Sequence, residues 1–262
     1  MVVFADKSRE TELIDIWQQS FGDEEAYIRM FLLWNAEKCR IVIKEADGKA
    51  VSVAYLLPVT YVRVGQEPVS CWYLYAAATL PEYRGRGYFG EIMSYIKEHI
   101  PEPVILVPGE ESLISYYEKL GLGLWLQGKH VTVRAFANLK IEISKIDFQR
   151  YKVKRDGLLM GQDFIQWDEH FMKYIFHENA VCGGSAACIC TEGTEYVILY
   201  RKAGRQLKIL EVLPHDGYEG CISVLLEATG CEEADVCLVP AVMSTENFPG
   251  QKERGYFNLS MG

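Results

Sequence analysis

Long apolar runs are missing from this chain. No stretch approaches the roughly 18 to 20 residues that a helix needs to cross a bilayer, and no membrane partner is expected. Paired cysteines are missing too. The eight cysteines, Cys39, Cys71, Cys182, Cys188, Cys190, Cys221, Cys231 and Cys237, never fall in the C-x-x-C spacing of a zinc site or a redox motif. Several lie inside apolar runs such as "ADVCLVP", where a reduced thiol packs as a small hydrophobe. Histidine is scarce and dispersed; His170 and His177 share a helix face but have no third ligand nearby, so no metal is expected. Positive charge is also short, with 27 Lys and Arg against 36 Asp and Glu, a net charge of −9. That balance argues against nucleic-acid binding, which depends on basic side chains neutralising phosphates. The opening "MVVFADKSRETELIDIW" carries no basic head, apolar stretch and small-residue cleavage site, so a cytoplasmic protein is the expectation.

What the chain does have is the makeup of a globular protein. With 262 residues, 49% apolar and 24% charged, it can build one large or two modest domains. Residues 8–36 read as two helices, with Leu13, Ile14, Trp17 and Phe21 on one face of the first and Gly22-Asp23 as stop and N-cap. Two hairpins follow. One turns at Asp47-Gly48 and the other at Gly65-Gln66, the latter ending in the aromatic strand "VSCWYLYAAATL". A helix with Phe89, Ile92, Met93, Ile96 and Ile100 on one stripe comes next, then the buried-strand pattern "EPVILVP" and the helix "GEESLISYYEKLGL". The order predicts a mixed-sheet α/β domain.

The second half repeats that order more weakly. "DFIQWDEHFMKYIFHE" reads as a helix with Phe164, Trp167, Phe171 and Tyr174 on one face, and the strands "AACIC", "EYVILYR" and "QLKILEVLP" follow. The helix "YEGCISVLLEATG" and the strand "VCLVP" close the series; "VCLVP" echoes "VILVP", and each is followed by Lys-x-x-Gly or a near match, Lys119 to Gly121 and Lys252 to Gly255. Two related halves are expected, 1–138 and 139–262, with the junction inside "ANLKIEISKIDFQRYKVKRDG".

The feature that points to chemistry is "TLPEYRGRGYFGEIM", between the aromatic strand and the following helix. The first N–H groups of that helix carry partial positive charge into the loop. Gly85, Gly87 and Gly90 let a bulky anion approach the backbone, and Arg84 and Arg86 add charge-assisted donors. A diphosphate is the expected ligand. The nucleotide P-loop pattern G-x-x-x-x-G-K-[ST] is absent, and a dinucleotide fingerprint does not fit because the preceding strand is antiparallel.

The loop resembles the acyl-CoA-binding motif of the GCN5-related N-acetyltransferase (GNAT) superfamily, [Q/R]-x-x-G-x-[G/A] after the central strand. Arg84 and Gly87 match its first two fixed positions. Phe89 stands at the third, where a small residue is usual, with Gly90 one step later. "YEKLGL", Tyr117 to Leu122, is similar to the family's second landmark, Y-x-K-x-G-F. The resemblance covers residues 1–135 and implies a GNAT-like acyl-CoA acyltransferase fold; the repeat makes the whole chain similar to tandem GNAT proteins in which one half keeps the donor site. It also implies acetyl-CoA as donor and a small primary amine as acceptor. Backbone groups of Ala77, Ala78 and Thr79 would then hold the acetyl and pantetheine groups. Residues Arg84, Gly85, Arg86, Gly87, Tyr88, Phe89 and Gly90 would hold the diphosphate. Tyr117 would be the general acid, with Tyr116 its rival. No carboxylate lies on the aromatic strand to serve as base; Glu110, Glu111, a water chain or bulk solvent remain for that step. Cys71, with no His or acid placed to activate it, reads as a packed thiol. The second half has "EVLPHDGYEGC" where the loop would fall and Gln251 or a neighbour where Tyr117 would recur, so it is expected to be a wall without a donor site. A non-catalytic acyl-CoA sensor and a Fem-like aminoacyl transferase are the alternatives. The acidic charge and the intact loop count against the second.

Overall fold

The computed structural model describes residues 1–136, 141, 143–191 and 193–259. It opens with β1 (Val2–Ala5) and two helices, α1 (Glu10–Phe21) and α2 (Glu25–Asn35). α1 buries Leu13, Ile14, Ile16 and Trp17, and Gly22 caps it at φ 78°, the left-handed conformation that glycine takes without a Cβ penalty. Asp23 is not the N-cap of α2; its carboxylate accepts a hydrogen bond from Trp17 Nε1 at 2.7 Å, and Glu24 takes the cap position.

β2 (Arg40–Ala46), β3 (Lys49–Val62) and β4 (Val69–Thr79) form an antiparallel meander, so the two hairpins share β3 as one long strand. α3 (Tyr88–His99), β5 (Val104–Leu106), α4 (Ile114–Lys119), β6 (Leu122–Leu126) and β7 (Lys129–Arg134) follow. β5 runs parallel to β4, as a strand–helix–strand crossover requires. α3 packs Phe89, Ile92, Met93 and Ile96 among Leu56, Leu74 and Leu106.

The later elements are β8 (Ile143–Lys145), α5 (Phe148–Leu159), β9 (Phe164–Trp167), α6 (Glu169–Val181), β10 (Gly184–Thr191), β11 (Thr194–Ala203), β12 (Gln206–Leu213), α7 (Tyr218–Thr229), β13 (Glu233–Val239) and β14 (Val242–Thr245). Two of them correct the sequence reading. Phe164 and Trp167 lie on a strand, not a helix, because Asp168 caps α6 by accepting from the His170 N–H at 2.8 Å. α5 occupies a stretch read as junction. Its buried face carries Tyr151, Arg155 and Leu159, so an arginine stands where an apolar residue would have revealed the helix.

Two compact units emerge, each built from interleaved segments. The first comprises Met1–Tyr61, Pro68–Trp125 and Val242–Gly250; the second comprises Val62–Glu67, Leu126–Ala241 and Gln251–Gly262. The sequence-based boundary between 138 and 139 lies outside the described residues. Strands are exchanged along the chain. In the first unit the order is β1-β2-β3-β4-β5-β14-β6, with the late strand β14 antiparallel to β5. Thr245 Oγ1 accepts from the Val104 N–H at 3.0 Å, and Phe248 packs on Trp125 and Tyr61. In the second unit the order is β7-β13-β12-β11-β10-β8, with the early strand β7 antiparallel to β13.

The units share an internal order. In each, a strand leads through a left-handed glycine, Gly87 (φ 78°) or Gly217 (φ 70°), into a 12-residue helix and then a parallel strand. "GYFGEI" and "GYEGCI" begin the two helices, Gly87-Tyr88-x-Gly90 beside Gly217-Tyr218-x-Gly220. The Lys252 to Gly255 echo does not end a helix; that stretch is turns and irregular chain.

The second unit also buries an ion pair. Arg155 Nε donates to Glu211 Oε2 at 2.9 Å and to Oε1 at 3.1 Å, with both side chains essentially inaccessible. Tyr256 and Tyr151 donate their hydroxyls to the same carboxylate. Burial beside this carboxylate raises both tyrosine pKa values well above the ordinary range.

Candidate active site

Three adjacent alanines, Ala76 to Ala78, interrupt β4 at the place where a strand former would be expected. The structure shows what they permit. Tyr55 pairs with Tyr75 but Val53 pairs with Ala78, so one extra residue is accommodated on β4, and Ala76 has φ 47°. This is a β-bulge. Pairing of β4 with β5 ends at Leu74 and Leu106, so the two parallel strands part just before the bulge. The bulge itself was not read from the sequence; the alanine run was its signal.

Beyond the bulge the strand end is braced. Ser52 Oγ, fully buried, donates to the Ala78 carbonyl at 2.8 Å and meets Thr79 Oγ1 at 2.8 Å. Arg84 Nε donates to the Thr79 carbonyl at 3.0 Å, and the Leu80 N–H to the Val51 carbonyl at 2.9 Å. The carbonyls of Ala78 and Thr79 are therefore engaged within the first unit.

The loop reverses through Gly85 (φ 74°) and Gly87 (φ 78°), both conformations in which any other residue is strained. A Cβ built on either glycine meets nothing within 4 Å, so the space over the loop is open. Gly87 starts α3 without a side-chain cap. The N–H groups of Tyr88, Phe89 and Gly90 have no place in the helical ladder, which begins with Glu91 donating to the Gly87 carbonyl at 3.1 Å. The Arg84 N–H is different: it already donates to the Pro81 carbonyl at 3.2 Å, so it is not one of the open donors of the helix start.

Cations gather around the loop from more than one element. Arg84 and Arg86 are exposed, and the Arg86 guanidinium lies 4.9 Å from the Tyr83 ring centre. Lys49 Nζ lies 5.3 Å from the same ring, and Lys44 Nζ 5.1 Å from Tyr88. Lys44 and Lys49, from β2 and β3, were not singled out in the sequence because they lie far from the loop along the chain. Lys44 is paired with Glu91 at 2.6 Å and Lys49 lies 3.6 Å from Glu82, which leaves Arg84 and Arg86 as the loop's own positive charges beside the uncapped helix start.

Phe89 does not fill the loop. Its ring is buried in the core below, edge-on to Tyr117 at 6.1 Å and tilted against Tyr116 at 6.3 Å. Gly90 is the small residue at the next position, where a Cβ would make only ordinary contact with Leu120 Cδ2 at 3.5 Å. Tyr117 is buried on α4, whereas Tyr116 is 40% exposed. Burial, with a further contribution from Tyr116, raises the Tyr117 pKa and keeps its hydroxyl protonated. Tyr73, buried on β4, is raised by the same cause and feels Tyr117.

The candidate bases Glu110 and Glu111 lie just before and at the start of the short turn that leads into α4, and the candidate thiol Cys71 lies on β4. Glu110 and Glu111 are exposed, and Glu110 accepts from Ser112 Oγ at 3.1 Å. Cys71 is buried with Sγ 3.5 Å from the Val69 carbonyl. Among the described residues no group of three or more His, Cys, Asp or Glu is arranged to hold a metal ion, and no helix is long and apolar enough to cross a membrane.

At the corresponding helix start in the second unit a side chain stands against the glycine. A Cβ on Gly217 would lie 2.9 Å from the Tyr196 hydroxyl, which donates to the Asp216 carbonyl at 2.8 Å. Asp216 and Glu219 flank it, and no arginine does.

The model of the acetyltransferase (GNAT) domain matches residues 3–125. The first half is a GNAT domain. Solved structures extend the likeness of fold to the second half. A conserved Enterococcus faecalis V583 protein, described as a probable N-acyltransferase, is 14% identical with a TM-score of 0.69, over 93% of this chain and 72% of its own. A GCN5-related N-acetyltransferase from Kribbella flavida is 13% identical with a TM-score of 0.65, over 93% and 70%. A tandem GNAT protein from the clavulanic acid biosynthesis pathway is 9% identical with a TM-score of 0.55, over 96% and 99%. A search of curated proteins found no match. The chain thus has the fold of two GNAT-like halves, one of which keeps an open, basic loop.

Proposed function

We propose that the protein is an N-acetyltransferase that moves an acetyl group from acetyl-CoA to a primary amine of a small molecule. The observation that carries this reading is the open loop at Gly87: an uncapped helix start, glycine backbone and the exposed Arg84 and Arg86. Such a cradle fits a diphosphate, and members of the GNAT family generally use acetyl-CoA.

The donor supplies the thioester; this chain's residues bind it and manage protons. The N–H groups of Tyr88, Phe89 and Gly90 hold the diphosphate, with Gly85 and Gly87 giving it access and Arg84 and Arg86 adding charge. Ala77, Ala78 and Thr79, beyond the bulge, provide the backbone edge along which the pantetheine and acetyl groups lie. Tyr117 holds a proton for the departing thiolate. β4 carries no carboxylate, so Glu110, Glu111, a water chain or bulk solvent takes the proton of the acceptor amine. The second half, with the Tyr196 hydroxyl beside Gly217 and no arginine in the corresponding loop, serves as a structural partner without a donor site.

Tyr117→Phe is expected to lower kcat by about 100-fold or more while acetyl-CoA still raises the melting temperature. The acid must be protonated, and burial raises its pKa. Activity dependent on Tyr117 is therefore lost only as pH rises beyond the ordinary tyrosine value of about 10. Release of free thiol from acetyl-CoA with a panel of amines is the measurement. Unchanged turnover in Tyr117→Phe removes Tyr117 from the mechanism. A thermal shift without thiol release from any amine favours the acyl-CoA sensor, the alternative suggested by the missing carboxylate on β4.

A further inference from the structure

We propose that Phe89 is a positioning residue for Tyr117, setting its hydroxyl relative to the loop that binds the donor; this rests on the role given to Tyr117 above. Phe89 stands on the same helical turn as the N–H groups of Tyr88 and Gly90, yet its ring is directed away from the loop and into the core. There it meets Tyr117 edge-on, with ring centres 6.1 Å apart and planes at 81°. It also meets Tyr116 at 6.3 Å and 33°, and the two tyrosines contact each other at 5.6 Å and 62°. The three rings close on one another. In an edge-to-face pair the positive ring edge addresses the negative face, so such contacts fix orientation as well as volume. A tyrosine hydroxyl lies on the axis of its ring, and holding the ring holds the oxygen.

The surrounding backbone leaves little else to adjust. Lys97 Nζ, from α3, donates to the Leu120 carbonyl at the end of α4 at 2.7 Å. Gly90 faces the Leu120 side chain, where a Cβ would make ordinary van der Waals contact with Leu120 Cδ2 at 3.5 Å. With α3 and α4 joined by the Lys97 hydrogen bond, the ring of Phe89 links the first turn of α3 to the ring of Tyr117. A small residue at position 89 would leave that face of Tyr117 without a partner.

The test uses the full chain carrying Phe89→Leu, Tyr117→Phe, or both, since leucine keeps most of the core volume but has no ring edge. With acetyl-CoA and an amine that the wild type acetylates, Phe89→Leu is expected to lower kcat by about 10- to 100-fold, with the thermal shift given by acetyl-CoA retained. In the Tyr117→Phe background the same substitution changes kcat by less than about twofold, because it acts through the missing hydroxyl. Equal losses in both backgrounds, or wild-type kcat in Phe89→Leu, overturn the proposal. Wild-type kcat in Tyr117→Phe alone overturns it together with the mechanism. A second measurement is independent of turnover. The alkaline titration of the 13C-labelled Tyr117 ring, assigned by its absence from Tyr117→Phe, moves in Phe89→Leu; an unmoved titration overturns the positioning role. If the wild type turns over no amine, the proposed activity fails and this titration decides the role of Phe89 on its own.

Discussion

Gly87→Val is expected to abolish the stabilisation of the first unit by acetyl-CoA. At about 100 times its Kd, a ligand that binds only the folded state adds about 2.7 kcal/mol. For a protein of this size that corresponds to a rise in melting temperature of about 5 to 10 °C. Valine at position 87 acts against this in two ways. Its φ of 78° lies in the left-handed region, where a residue with a Cβ is disfavoured by about 1 to 2 kcal/mol. Its side chain would also rise into the open space over the N–H groups of Tyr88 to Gly90, where nothing now lies within 4 Å of a Cβ. The strain alone predicts a lower melting temperature without ligand and a normal shift with it. Obstruction of the cradle predicts that the shift itself vanishes. Arg84→Gln serves as a companion that keeps the glycine; there the shift is expected to shrink while folding persists. A full shift with acetyl-CoA in Gly87→Val would mean that the loop does not bind the donor.

Arg155→Met is expected to destabilise the second unit by about 3 to 5 kcal/mol, the usual cost of leaving one member of a buried ion pair alone. Glu211 then keeps its charge with only the hydroxyls of Tyr151 and Tyr256 to satisfy it. At about 2 to 4 °C per kcal/mol, the melting temperature falls by about 6 to 20 °C. Glu211→Met produces a loss of similar size by stranding the guanidinium. The double variant is expected to lose less than the sum of the two, because neither charge is then uncompensated; it still bears the cost of two tyrosine hydroxyls without their acceptor. Urea unfolding of the three variants measures the coupling. A value below about 0.5 kcal/mol would mean that the pair contributes nothing specific.

Arg155 also illustrates why part of the fold escaped the sequence. α5 was invisible to apolar periodicity because one of its buried positions is charged, and its partner Glu211 lies more than fifty residues away on β12. Phe164 to Trp167 gave the opposite difficulty. Their aromatic side chains extend the pattern of α6 backward, but Asp168 caps the helix and leaves them extended. The loop was legible for a contrasting reason. Its glycines, arginines and helix start lie within a few residues of each other, and each constrains the local backbone without help from distant chain.

The sequence by itself determined the local chemistry: a glycine-rich basic turn between a strand and a helix, a tyrosine at the end of a later helix, and a weaker second copy of the same order. Tertiary structure alone decided the rest. β7 and β14 each pair in a sheet built mainly from the other part of the chain, which no period along the chain announces. The bulge at Ala76, Lys44 and Lys49 around the loop, and the inward turn of Phe89 all depend on which distant residues come to lie opposite. Turn and cap preferences act between near neighbours, whereas strand register and the direction of a buried ring are settled by packing among residues far apart in sequence.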